Sequence, residues 1–362
     1  MDRQIRVALA GVGNCASSLV QGVEYYRSKS AKTIGLSLPR IKGYSVDDIS
    51  FVAAFDIDSR KVGRDLSEAI SAEPNNVRTI AQPRKLNVRV SMAQPLDGVS
   101  PFTAEKIQVS AAKPSNLPQV LRDSRADILV NLTPTGSTKA SEMYADAAVN
   151  AGCAFINATP AKIAGNGSWQ ARFRKAALAL VGDDVMDQIG STVLHRNLLS
   201  FLVGRGAHVD ETYQLDIGGG TESEIALDKR RYEIKRSVKT AAVAAVVPYK
   251  FPIVAGSSDF VDFMENRRTS YFWIKGVYFA GTEFTIDMRL SLEDGPACAG
   301  LLIDAVRMVK AAKDASIAGP LLAVSAYGFK APPRKLSESD LQTDLSWYRG
   351  SKRVVEKLPK KS

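Results

Sequence analysis

No stretch of this 362-residue chain approaches the roughly 20 consecutive apolar residues needed to cross a bilayer. Its first residues, MDRQIRVALAG, run into a strand-like segment with no signal-peptide core before it, which sets a cytoplasmic expectation. Cysteine is scarce. Cys15, Cys153 and Cys298 are odd in number, widely separated and show no C-x-x-C spacing, so neither a disulfide framework nor a thiolate zinc site is indicated, and the thiols are expected to be reduced. The formal net charge is +10, yet the Lys and Arg residues are scattered and no helix-turn-helix, RNP or zinc-finger pattern goes with them. Nucleic acid is therefore not an expected partner, whereas phosphorylated metabolites are drawn to such a charge. The basic stretch SKRVVEKLPKKS at residues 351–362 reads as a solvated tail, and no internal repeat is found.

What the chain does have is enough apolar sequence, 45% against 24% charged, for a full core in two domains. In the first half, IRVALAG, FVAAFDID, ADILVNLTP, CAFINATP and LALVGDD alternate with helix-like segments. Near-continuous apolar strands ending in polar residues describe a parallel sheet covered on both faces, with its site at the carboxyl ends. The expected class is α/β, a Rossmann-type doubly wound sheet. After about residue 205 the texture changes to TYQLDI, SYFWIKGVYF and FTIDMRLSL, which read as a mixed or antiparallel sheet of a second, α+β domain. ACAGLLIDAVRMVKAAKD has helical spacing and a Gly-Pro stop, and returns the chain to the first domain. The expected division is 1–205 completed by 310–362, with 206–309 between. Segments Arg27 to Ser50 and Ala81 to Ser115 read as loop insertions.

The first chemical motif is VALAGVGNCASSL. Gly11, Gly13 and Ala16 fit G-x-G-x-x-G/A directly after a strand and before a helix, where absent side chains let a pyrophosphate approach the helix N-terminus. Asp56 ends the next strand, an acid suited to a ribose hydroxyl and repulsive to a 2′-phosphate, so NAD is expected over NADP. A tight turn with no ligand is the plain alternative. At further strand ends, Asn131 to Ser137, with Thr133, Pro134 and Gly136, and Asn157 to Pro160 are placed to pass a nicotinamide ribose, or are simple strand-to-helix turns.

GVGNCASSLVQGVEYY, FVAAFDID, GDD ending at Asp184, His195 with Arg196, SSDFV, LLIDAVRMVKAAKD and SAYGFKAPP together resemble the prokaryotic type of myo-inositol-1-phosphate synthase, in register over nearly the whole chain. The resemblance implies tightly held NAD, regenerated in each turnover, that oxidises C5 of a hexose 6-phosphate so that C6 closes on the C1 aldehyde before the ring ketone is reduced. It adds Asn14, Cys15 and Asp183 to the cofactor contacts, and Asp259 of SSDFV as an acid near the nicotinamide. It makes Lys239, Lys330 and Lys235 active-site lysines, suited to clamping a phosphate and meeting developing oxyanions. It also implies a homotetramer built through the second domain. Relatives differ in their cation requirement, and no ligand spacing here assigns a metal.

Three motifs depart from that pattern. GDD-x-K becomes GDDVM, with Met186, a thioether that donates no hydrogen bond, in place of an ammonium. Loss of one preorganised oxyanion donor typically costs about 10²–10³ in turnover. GGN-x-D-F becomes GGGTES at Gly220, Glu222 and Ser223, and D-S-P-N becomes DGPA at Asp294 to Ala297. Lys162 is a candidate to fill the gap at Met186. These departures leave open a cyclase of glucose 6-phosphate, the same mechanism on fructose 6-phosphate giving a five-membered ring, and a non-catalytic NAD-binding relative. An ordinary dehydrogenase is a weaker fourth.

Overall fold

The apolar runs of the first half form parallel strands β1 (Ile5–Ala10), β2 (Ile49–Asp56), β3 (Val90–Met92), β4 (Ile128–Asn131), β5 (Ala154–Asn157) and β6 (Ala179–Val181) in a computed structural model that describes residues 3–28, 33–224 and 227–350. The tail at 351–362 lies outside the described residues. Every residue of β4, β5 and β6 is buried, as continuous apolar runs require when both faces of a sheet are covered. The second sheet holds β7 (His208–Gly218), β8 (Ile253–Phe260), β9 (Arg267–Val277) and β10 (Glu283–Glu293). Then β11 (Gly319–Pro320) rejoins the first, whose order is β11-β6-β5-β4-β1-β2-β3. From β1 the chain winds outward to β3 on one side, and from β4 outward on the other. The crevice beyond the carboxyl ends of β1 and β4 is thus the switch point where doubly wound sheets bind ligands. Gly11 turns the chain there: its φ is +92°, and a Cβ would come within 2.9 Å of the Leu132 carbonyl oxygen.

The helix Asp294–Asp314 packs along the helix Asn14–Arg27 and is buried for most of its length in the larger core. The expected boundary at 309/310 is therefore corrected: it cuts a single helix whose apolar face belongs to the first core from Cys298 onward. Arg307, fully buried, holds Asp304 at 2.5 Å and donates to the carbonyls of Leu38 and Pro39, fastening the first insertion to this helix.

In the second sheet, of order β10-β9-β7-β8, β9 is antiparallel to both β10 and β7. β7 and β8 run parallel, joined through the helix Lys229–Ala244, so the sheet is mixed. That helix and the helix Ser191–Gly204 cover one face over Leu199, Val209, Val243, Ala255 and Ile274. The inner face of β7 also carries Thr212, Gln214 and Asp216, whereas Tyr213 and Leu215 lie exposed on the outer face. His195 fastens Ser191–Gly204 to this polar row: Nδ1 lies 3.2 Å from Gln214 Oε1 and Nε2 lies 2.9 Å from Thr212 Oγ1. The Gln214 amide is committed as donor to Asp216, so its Oε1 faces Nδ1 as an acceptor, and the Thr212 hydroxyl donates to the Trp273 carbonyl at 2.6 Å.

Burial holds the His195 pKa down to about 4, from an ordinary 6.5. Its contribution to stability is complete above pH 6.5, where folded and unfolded chains both hold it neutral, and is lost as pH falls towards 4. Urea denaturation should show up to about 1 kcal/mol lost per pH unit in that window from this residue. His195→Gln should flatten that part of the slope, and an equal slope in both proteins would refute the assignment.

Candidate active site

At the switch point the helix Asn14–Arg27 begins without a side-chain cap on Gly13 and without an acid in its first turn. Its first backbone N–H groups are therefore available to an anion. A Cβ on Gly13 would meet nothing within 4 Å, so the turn opens onto free space. Two adjoining cavities share Gly13, Leu132, Thr133, Pro134 and Thr221. The outer one is lined by Gly11, Asp56, Lys61 and Tyr144 among others. Asp56 is fixed by N–H groups of Val12 at 2.7 Å, Ile57 at 2.8 Å and Asp58 at 2.9 Å. Buried Lys61, which sequence reading passed over, donates to the Val12 carbonyl and to Asn75 Oδ1, both at 2.9 Å, and ties the glycine turn to the segment after β2.

The inner cavity, where the two sheets face each other, is a cluster of cations each held by a carboxylate. Lys235 donates to Glu222 Oε1 at 2.8 Å, and Glu222 also accepts from the Thr135 hydroxyl. Lys239 donates to Asp216 Oδ2 at 2.5 Å. Lys330 donates to Asp184 Oδ1 at 2.9 Å and to the Val185 carbonyl at 2.6 Å. Arg268 spans Asp187 and Asp294, the latter at 2.5 Å, and its buried Nε has no partner among the described residues. All of these side chains except Asp216, which stands behind Lys239, line the cavity.

The charges shift one another. Burial opposes ionisation of Asp216, but Lys239 and Arg268 outweigh it and hold the carboxyl at about 2. Burial lowers the Lys239 ammonium against the pull of Asp216, and Arg268, Lys235 and Lys330 lower it further. Burial likewise acts to lower Lys330, yet Asp184 and Asp187 leave it above the ordinary lysine value. Asp294 is raised, by burial first.

Lys235, Lys239 and Lys330 therefore meet at one wall, and Gly11, Gly13, Asn14, Cys15, Ala16, Asp56, Thr133 and Pro134 line the two cavities. Four other expected residues lie outside both. Asn157 and Asp183 form a buried bracket: Asn157 Nδ2 donates to Asp183 Oδ1 at 2.7 Å, and the N–H groups of Ala164 and Gly165 close on the same carboxylate at 2.8 Å. Gly136 packs under Arg231, where a Cβ would come within 2.9 Å of the guanidinium arm. Asp259 is exposed, because a one-residue irregularity after Asp216 pairs it with Ile217 and turns it to the outer face of the sheet.

The expectations for Met186 and Lys162 need correction. Met186 is buried with its sulfur 3.5 Å from Arg196 Nη1, off the cavity, while Asp184, Val185 and Asp187 line it. Asp184 has a φ of 61° and Met186 N–H bonds the Gly328 carbonyl, which sets that alternation. Lys162 is exposed and outside the cavity. Arg268 fills the cavity with positive charge instead. In the sequence it is one of two adjacent arginines starting an ordinary strand, and only the sheet pairing shows which one turns inward. Cys15 and Cys298, 283 residues apart by the difference of their numbers, both line the inner cavity near the starts of their two helices. All three cysteines are free. Among the described residues no group of three or more His, Cys, Asp or Glu is arranged to hold a metal, and no helix is long and apolar enough to cross a membrane.

A family model described as myo-inositol-1-phosphate synthase matches residues 190–295, the span holding Lys235, Lys239 and Arg268. The inositol-3-phosphate synthase of Mycolicibacterium smegmatis is 40% identical over 354 residues, covering 95% of this chain and 98% of that protein. That of Mycobacterium tuberculosis is 41% identical over 350 residues, 95% of each. Among solved structures, the crystal structure of Ari2 superposes with a TM-score of 0.77 at 30% identity, over 95% of this chain and 98% of the other. The Caenorhabditis elegans inositol-3-phosphate synthase, 15% identical with a TM-score of 0.75 over 95% of this chain and 84% of its own, shares the fold. Likeness at this level along nearly the full length, together with the two-sheet architecture, leads to one conclusion: the chain belongs to the myo-inositol-1-phosphate synthase family.

Proposed function

We propose that this protein closes a hexose 6-phosphate into a cyclitol phosphate by oxidation at C5, aldol bond formation from C6 and reduction of the ring ketone. The observation that carries the reading is the cluster of Lys235, Lys239, Arg268 and Lys330 beside an uncapped glycine turn. NAD fits that turn: Gly11, Gly13, Asn14, Cys15, Ala16, Thr133 and Pro134 would hold it, and Asp56 Oδ2 has a lone pair left for a ribose hydroxyl. When bound, it supplies reversible oxidation of one carbinol carbon.

The chain's own side chains do the rest. A ketone at C5 makes the C6 proton acidic, and the enolate and alkoxide that follow place negative charge on oxygens that preorganised cations stabilise. Lys330, with its charge reinforced by two aspartates, acts as a permanent cation. Lys239 holds its proton less firmly, so it both faces an oxyanion and returns a proton to it. Arg268, its Nη groups held by Asp187 and Asp294, fixes a further positive charge at the cavity wall for a phosphate. The open outer face of the second sheet, with Tyr213, Leu215, Val254 and Tyr271, is covered in this reading by further copies in a homotetramer, and the compartment is the cytoplasm.

Glucose 6-phosphate is the first substrate to test. Fructose 6-phosphate, closing C6 on C2 into a five-membered ring, is favoured by the altered motif residues Gly220, Glu222 and Gly295 all lining the inner cavity. The non-catalytic reading rests on the missing lysine at 186, and the cations of Lys235, Lys239, Arg268 and Lys330 lining the inner cavity support the catalytic one.

Incubating the protein and NAD with each ¹³C-labelled sugar phosphate, and following products by NMR, should give a carbocyclic phosphate from one of them; none from either would refute the cyclase reading. Lys330→Ala should lower product formation by about 10²-fold or more while leaving NAD binding intact, and wild-type turnover would remove Lys330 from the chemistry. Leu215→Glu with Tyr271→Glu should shift the mass seen by light scattering from tetramer to smaller species. An unchanged mass would place the oligomer contact elsewhere.

A further inference from the structure

Lys239 does not stand alone at the cavity wall. Behind it runs a chain of fully enclosed groups: Lys239 donates to Asp216 Oδ2, Gln214 Nε2 donates to both Asp216 oxygens at 3.1 and 3.0 Å, and His195 and Thr212 hold the far side of Gln214 and of the imidazole. Ser191 Oγ reaches the same Asp216 oxygen at 3.4 Å. Thr212, His195, Gln214, Asp216, Lys239 and Ser191 are each 4% exposed or less. An inward polar row this dry is costly unless every member is bonded. Here the bonds converge on one carboxylate, and that carboxylate converges on one ammonium.

The surroundings of Lys239 explain why such backing is needed. Lys235 faces it from its own helix, Arg268 from β9 and Lys330 from the segment after the helix Leu322–Gly328, all positive; Asp294 faces it from the start of the helix Asp294–Asp314. Asp216 on β7 is the carboxylate in direct contact, with neutral His195 one residue's width behind. Three like charges favour loss of the Lys239 proton, as does burial. Among the described contacts Asp216 takes one of its three N–H donors, leaving two for whatever enters the cavity.

We propose that Asp216 is a positioning residue of the reaction, keeping Lys239 an ammonium and fixing its Nζ at the cavity wall through the Gln214–His195–Thr212 chain. The proposal rests on the cyclase reading for its effect on turnover, but its effect on Lys239 does not. Asp216→Asn keeps the shape and removes the charge, and Asp216→Glu keeps the charge and moves it by one methylene.

The test is made on NAD-loaded protein with ¹³C,¹⁵N-labelled lysine. The Lys239 side-chain resonance is followed against pH by NMR, alongside pH profiles of kcat and KM on whichever sugar phosphate is cyclised. In Asp216→Asn the Lys239 titration should move at least one pH unit lower. The alkaline limb of kcat should move with it, kcat at pH 8 should fall tenfold or more, and KM should change less than threefold. Asp216→Glu should return the titration to within half a unit of wild type while kcat stays reduced. A folded Asp216→Asn protein with an unmoved Lys239 titration overturns the proposal, whether or not either sugar is turned over. If Asp216→Asn does not fold, wild-type kcat in Asp216→Glu overturns the positioning role. Absence of turnover in the wild type counts against the cyclase reading alone, and the NMR arm still decides on Asp216.

Discussion

The structure depends on holding four cations together in a space too small and too dry for them. Lys235, Lys239, Arg268 and Lys330 repel one another, and each is tolerated because a carboxylate from another part of the chain meets it. Isolated buried charges of either sign carry a desolvation cost of several kcal/mol. The carboxylates come from the end of β7, the short helix at Thr221–Glu224, the turn after β6 and the start of the helix Asp294–Asp314. The cluster therefore forms only when the two sheets and that helix are correctly docked, and the docking is held in place by the cluster in turn.

Local features carried most of what the sequence made legible. The glycine turn and Asp56 follow from backbone chemistry within one βαβ unit, and the parallel sheet follows from uninterrupted apolar strands. The lysines became visible only through the family resemblance, because a lysine on a polar helix reads as solvated until its partners are known. What stayed hidden depended on pairing between distant segments. Asp259, expected near the nicotinamide through the resemblance alone, is turned to the outer face by one extra residue in β8, a slip that no composition rule signals. Arg268 was missed because two adjacent arginines begin β9 and only the pairing with β7 and β10 decides which one turns inward.

Strand β7 did carry a signal in TYQLDI. Read by the usual rule, its apolar residues face the core, but the structure buries Thr212, Gln214 and Asp216 and exposes Tyr213 and Leu215. The alternation is right and the assignment of faces is inverted, because the inner side of this strand supports a polar site and the outer side is apolar surface. A strand whose polar residues are short hydrogen-bonding types, with a lysine-rich helix soon after, is the pattern that marks such an inversion. Met186 shows the opposite limit. Its identity suggested a hole in the site, but the turn around Asp184 directs the side chain towards Arg196 and leaves the cavity's charge to others.

The five carboxylates Asp184, Asp187, Asp216, Glu222 and Asp294 slightly outnumber the four cations they hold. Before any ligand arrives the cavity behaves like an ion exchanger already in its counter-ion form. An incoming dianion finds no surplus positive charge waiting and must displace a resident carboxylate or draw protons in from solvent. Glu222 is the member most open to water, and Asp294 already holds its proton more tightly than an ordinary aspartate. Binding of a dianion would therefore be coupled to a rearrangement of these ion pairs or to proton uptake.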